Sequence, residues 1–173
     1  MPRMTRPGFP KVLLSVLLAA LTIFTTASHA APRSFSAEVT HITDGDTLWV
    51  RIDGDHGKPI KLRLLGIDAP ERCQAGGAQA TAALASRVLH QRVQVRTRAK
   101  DDYQRSLAQL RLGDEDIAAW MVSRGYAWSY RYHRSLGPYA AQEGAARAAG
   151  LGIFADPAAI EPRDFRKRFG PCH

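Results

Sequence analysis

Two acidic clusters, Asp44-Gly45-Asp46-Thr47 and Asp68-Ala69-Pro70-Glu71, stand well apart in this chain. Carboxylates of this kind can hold a hard cation or take up protons. Between them lie two short apolar runs around Asp53-Gly54-Asp55-His56-Gly57, a turn signal that makes the segment a β-hairpin. Folding about His56 sets Asp46 roughly opposite Gly66, with Asp68 just past the same open end. The two carboxylates then converge, which costs free energy unless a cation or a proton compensates. His41, His56, His90, His133 and His173 are scattered, with no arrangement for a His–Cys nucleophile and no C-x-x-C. The donor set is therefore oxygen, which fits a hard dication and argues against a structural zinc.

The carboxylates need a frame. Residues 34–42, 47–52 and 59–67 read as three strands; in the third, Ile60, Leu62 and Leu64 alternate with Lys61, Arg63 and Leu65. Residues 78–90 are Ala-rich and Gly-free, hence a helix. Strands follow at 92–98 and 105–112. Asp116 is placed to cap a helix over 117–124, with Gly125 as its stop. Residues 126–132 form an aromatic-rich extended stretch, although Trp120, Tyr126 and Trp128 are expected in the core. Pro138 opens a third helix through Ala149, and 156–173 reads as a Pro- and Arg-bearing tail. Short strands of even length around one core predict a small closed β barrel with helical cover, an α+β class.

The chain has 173 residues and a net charge of +8. Residues 1–30 read as a secretory signal peptide: Arg3, Arg6 and Lys11 precede an apolar run over 12–24, and Ser28-His29-Ala30 offers a cleavage site. The run falls short of the roughly 20 apolar residues that span a bilayer, so an uncleaved anchor is the weaker alternative. Residues 31–173 would form one exported domain, periplasmic or extracellular, with no stable membrane association after cleavage and a monomer by default. It keeps 21 Lys and Arg against 16 Asp and Glu, a net +5 that suits polyanionic partners. Arginine dominates, and it grips phosphate bidentately where lysine cannot. In an oxidising compartment Cys73 and Cys172 are expected to pair; free or intermolecular thiols are the other possibility. Such a bridge is worth up to about 4–5 kcal/mol in the chain-entropy model.

Read together, Asp44-Gly45-Asp46-Thr47, Arg63-Leu64-Leu65-Gly66-Ile67-Asp68-Ala69-Pro70-Glu71, Asp101-Asp102-Tyr103-Gln104-Arg105, Arg124-Gly125-Tyr126-Ala127 and Leu151-Gly152-Ile153-Phe154 resemble the staphylococcal nuclease family, in order and spacing. The resemblance runs from about Phe35 to Phe154. It implies a five-stranded OB-fold barrel with three helices, and a secreted calcium-dependent phosphodiesterase cutting DNA and RNA with little sequence preference. It implies calcium ligands at Asp46, Asp68 and the main-chain carbonyl of Ala69, with Asp44 in support behind them. It assigns Glu71 to the attacking water, as base or as orienting group, and Arg63 and Arg105 to the phosphate. Tyr103, Tyr130 and Tyr132 would contact substrate, the last two with barrel packing as the alternative.

The chain departs from the family's best-known members in three places. The stretch between Glu71 and the first helix is short, which truncates a mobile lid. Asp102 stands where a lysine is usual, and Gln104 where a glycine is usual. Two other readings stay open at this point: a catalytically silent OB-type nucleic-acid-binding module, and a basic exported interaction domain that binds calcium structurally.

Overall fold

The computed structural model describes residues 33–101 and 103–172; the expected signal peptide and Asp102 lie outside them. The strands are β1 (Ser34–Ile42), β2 (Thr47–Ile52), β3 (Ile60–Leu64), β4 (Ile67–Asp68), β5 (Arg92–Lys100), β6 (Ser106–Leu112), β7 (Glu115–Asp116) and β8 (Trp128–Ser129). The helices are α1 (Gly77–Val88), α2 (Ile117–Ser123), α3 (Ala140–Ala148) and α4 (Pro162–Phe169), with a 3-10 turn at Gly152–Ala155.

β1 pairs antiparallel with both β2 and β5, β2 with β3, and β5 with β6. A parallel pairing of β3 with β6 closes the ring, Leu62 against Ser106 and Leu64 against Ala108. The result is the expected five-stranded OB-type barrel. Alternate residues fill it: Ala37 and Val39, Leu48 and Val50, Leu62 and Leu64, Val93 and Val95, Ala108 and Leu110 are all buried. Leu84 and Val88 of α1 and Ile117, Met121 and Val122 of α2 complete the same core. Trp120 and Tyr126 pack against it half-buried, while Trp128 joins Ala146 and Phe154 in a second cluster.

The hairpin is tighter than the sequence predicts. Thr47 pairs with Arg63 and Val50 with Ile60, and the Leu64 amide donates to the Asp46 carbonyl at 2.8 Å. Asp46 therefore faces Leu64 rather than Gly66. Pro59 has no N–H for the ladder, so β3 starts at Ile60 and the turn contracts around Asp55. The shift is two residues, an even number, so every side chain keeps its face.

α2 follows its sequence signals. The Asp116 carboxylate accepts from the Ala119 amide at 3.1 Å, and Gly125, at φ 72°, lets Tyr126 donate back to the Met121 carbonyl. Asp116 also accepts from the Tyr139 hydroxyl at 3.1 Å. Asp116→Ala is expected to lower stability by about 1–2 kcal/mol, read as a shifted midpoint in urea denaturation; an unchanged midpoint would show that the cap is idle.

Two expectations need correcting. The extended stretch over 126–132 shrinks to β8, which pairs with β4 as Ile67 with Ser129 and Asp68 with Trp128. The tail is not irregular, because it contains α4, a fourth helix beyond the three expected.

Candidate active site

The acidic turn is built on a close approach. The Asp46 amide donates to Asp44 Oδ1 at 3.0 Å. A Cβ on Gly45 would lie 2.7 Å from that of Ala80 and 2.8 Å from that of Ala69, so only glycine lets the turn press between α1 and the second acidic cluster. There the Ala69 amide donates to Asp46 Oδ2 at 3.1 Å and the Thr47 hydroxyl to Oδ1 at 3.0 Å. The two clusters are thus joined by a hydrogen bond from one backbone to the other's carboxylate.

Arg63 stands between the carboxylates. Its Nη2 lies 3.1 Å from Asp46 Oδ2 and 2.8 Å from Asp68 Oδ1, and its Nη1 donates to the Ile67 carbonyl at 3.0 Å. Burial alone would lower the Arg63 pKa, but Asp46 and Asp68 overcome it and hold the guanidinium protonated. Asp68 is buried and meets a second guanidinium from α4: Arg166 Nη2 donates to Asp68 Oδ2 at 3.0 Å and Arg166 Nη1 to Glu71 Oε1 at 2.7 Å. Burial pushes the Asp68 carboxyl up, against the opposing pull of Arg166 and Arg63. Asp44 is pushed up to about 6 by burial and by the charge of Asp46.

Arg105 is anchored at its other side. Its Nε donates to Asp101 Oδ2 at 2.7 Å and its Nη1 lies 3.5 Å from the Thr47 hydroxyl. Its guanidinium sits 5.3 Å from the ring centre of Tyr103, which is 81% exposed. Gln104 takes a positive φ of 59° to make this turn, the conformation glycine adopts freely and a side chain resists.

Asp44, Asp46, Arg63, Glu71, Tyr103, Arg105 and Arg166 line one cleft of about 420 Å³, floored by Ala69 and Pro70. Asp68 lies buried behind the two arginines that bind it. The staphylococcal nuclease homologue model matches residues 61–156. The chain belongs to that family. It is 37% identical to an uncharacterized endonuclease of Haemophilus influenzae over 91% of this chain and 86% of the other. It is 36% identical to a micrococcal nuclease of Shigella flexneri over 90% of this chain and 94% of the other. A protein named ParB from Escherichia coli is 37% identical over 86% of this chain and 88% of its own length.

The family is metal-dependent, and a metal needs several donors that converge. Among the described residues no three His, Cys, Asp or Glu side chains gather in a metal-holding group. Two buried carboxylates, Asp46 and Asp68, do converge, both on one Arg63 nitrogen at 3.1 and 2.8 Å, beside Asp44, whose carboxyl is raised by burial and by the charge of Asp46. That all-oxygen set fits a hard dication which takes few protein ligands and completes its shell with water.

Of the residues read from sequence, the cleft gathers Asp44, Asp46, Arg63, Ala69, Glu71, Tyr103 and Arg105. Tyr130 and Tyr132 are exposed and do not line it; the Tyr130 amide donates to the Gly66 carbonyl, and Tyr132 meets His133 edge to face with ring centres 4.1 Å apart. Cys73 and Cys172 are bonded to each other. Sequence reasoning missed Arg166, Gln74 and the part of Thr47 in holding Asp46. The signal for α4 was present: Pro162 after Glu161, Asp164 in the first turn, Arg166-Lys167-Arg168 in the last and Gly170 beyond.

Proposed function

We propose that this nuclease-family protein is an exported, calcium-dependent enzyme that hydrolyses phosphodiester bonds of DNA and RNA with little sequence preference. One observation carries the reading: carboxylates from the turn before β2 and the loop after β4 share a single cleft with arginines from β3 and from the turn before β6. An all-acidic cleft would repel a polyanion, and an all-basic one would have no group to take a proton from water.

Asp46, Asp68 and the Ala69 carbonyl would hold calcium, whose chemistry when bound is that of a Lewis acid toward a phosphate oxygen. Glu71, at the cleft wall, accepts a proton from water as the water oxygen bonds to phosphorus and the ester P–O bond breaks, its electron pair leaving on the alkoxide oxygen, which takes a proton from solvent. Arg105 keeps donors beyond those committed to Asp101 and Thr47 for the phosphate oxygens, and these strengthen as charge develops there. The exposed Tyr103 ring offers a base a stacking face that does not depend on sequence. Export is supported by the signal-like first thirty residues and by the Cys73–Cys172 bond, which persists in oxidising compartments.

The test uses purified residues 31–173 with plasmid, single-stranded DNA and RNA. Calcium is expected to give cleavage of all three and chelator to abolish it. Intact substrates under calcium would sink the nuclease reading and leave a binding module. Protein recovered from expressing cells should begin at Ala31; an N-terminus that retains the first thirty residues would argue against export.

A further inference from the structure

The loop that carries Glu71 is fastened to the C-terminal segment at three separate points. Cys73 is bonded to Cys172, 99 residues away, with their Cα atoms 5.7 Å apart. The buried Gln74 side chain accepts from the Glu71 amide at 3.1 Å and donates to the Ile160 carbonyl at 2.6 Å. Arg166 reaches the Glu71 carboxylate itself. On the loop's far side Gly77 closes against it, where a Cβ would meet the Glu71 carbonyl at 2.0 Å.

The Arg166 contact spans two carboxylates from different segments. Nη1 lies 2.7 Å from Glu71 Oε1 and 3.3 Å from Asp68 Oδ1, while Nη2 lies 3.0 Å from Asp68 Oδ2. Among the described residues no other side chain bonds the Glu71 carboxylate. Without Arg166 the two carboxylates would repel, and Glu71, whose side chain is partly exposed, would turn toward water. A planar guanidinium, with donors fixed in a fork, holds both at a set separation.

We infer that Arg166, presented by α4 and tethered through Cys73–Cys172, is a positioning residue for the nuclease reaction, fixing the Glu71 carboxylate over the cleft. The inference rests on the nuclease reading above. The C-terminal segment thereby does by covalent and ionic attachment what a mobile lid would do by closing. Arg166 also shares Asp68 with any bound cation, so the two compete for one carboxylate. Removing the guanidinium should weaken turnover and tighten metal binding, and this opposition of signs separates positioning from other roles.

The experiment compares wild type, Arg166→Ala, Arg166→Lys and the Cys73→Ser/Cys172→Ser pair. Wild-type cleavage of single-stranded DNA in calcium is measured first; its failure overturns the nuclease reading and this inference with it. With wild type active, Arg166→Ala is expected to lower kcat by about 10- to 100-fold with KM within about threefold, as for a misplaced catalytic group. Calcium chloride titrated into the same protein by calorimetry, without nucleic acid, should bind several-fold tighter. Arg166→Lys should restore part of kcat. The cysteine pair should lower kcat similarly, and adding Arg166→Ala to it should cost little more, because both act through one element. A rise in kcat with tighter calcium would make α4 an inhibitory plug and overturn the inference. Unchanged kcat and calcium binding would reduce Arg166 to a surface ion pair. A kcat loss that follows a lowered Tm, without rescue by lysine, would make its role merely structural.

Discussion

Glu71→Gln is expected to lower kcat by about 10²- to 10⁴-fold, the usual worth of a positioned proton acceptor, while leaving KM and Tm near wild type. The amide oxygen can still accept from Arg166, and Arg166 keeps Asp68, so the loop has no reason to move. What is lost is the capacity to take a proton from water. Arg105→Ala should cost about 10²- to 10³-fold in kcat, as removal of one donor to a developing oxyanion does. It should raise KM as well, since that guanidinium meets the phosphate before reaction. The kinetic split distinguishes the roles: one variant loses chemistry alone, the other chemistry and binding. Single-turnover and steady-state cleavage of one oligonucleotide would read both. Normal turnover in both variants would show that the reacting atoms lie elsewhere in the molecule.

The parts of this site that were legible in the sequence are those set by local rules. Turn chemistry at Asp53-Gly54-Asp55 makes the hairpin, and period-two alternation in β2 and β3 chooses which face is buried. Even the two-residue error in register left Arg63 on its correct face, beside Thr47 rather than displaced from the site. Asp116 and Gly125 were readable for the same reason, because a cap and a left-handed stop act within one turn of their helix.

The parts that stayed hidden depend on contacts made late in the chain. The end signals of α4 were readable, but its eight residues hold only Phe165 and Phe169 as a spaced apolar pair, so nothing local shows what the helix packs against. It is held by a disulfide and by ion pairs to Asp68 and Glu71, whose partners lie nearly a hundred residues upstream. Nothing in the local sequence distinguishes Arg166, which enters the cleft, from Arg168, which does not line it. Sequence shows that arginines are plentiful; only the tertiary fold shows which one meets two carboxylates.

Glu143 is hidden in the same way, and its loss is expected to cost more stability than loss of the Asp116 cap. On an Ala-rich helix nothing local marks it as buried, yet it is 3% exposed. Its Oε2 accepts from the Ser129 amide at 2.9 Å, and its Oε1 accepts from Arg131 and Arg147, each at 2.8 Å. The Ser129 hydroxyl in turn accepts from the Tyr139 amide at 3.0 Å. Glu143 therefore ties α3 to β8, and β8 pairs with β4, which carries Asp68. Glu143→Ala leaves a buried amide without its acceptor and two arginines without their carboxylate. Breaking a buried pair from one side costs about 3–5 kcal/mol, but the two arginine side chains are 40% and 47% exposed and can turn to water, so about 2–3 kcal/mol is expected here. Arg147→Ala should cost under about 1 kcal/mol, because Arg131 still balances the carboxylate. Urea denaturation of the three proteins reads both values, and a loss below about 1 kcal/mol in Glu143→Ala would mean that the cluster only decorates α3. Cleavage by folded Glu143→Ala should fall less than in Glu71→Gln, since the strand pairing that places Asp68 is loosened while every group in the cleft is still present.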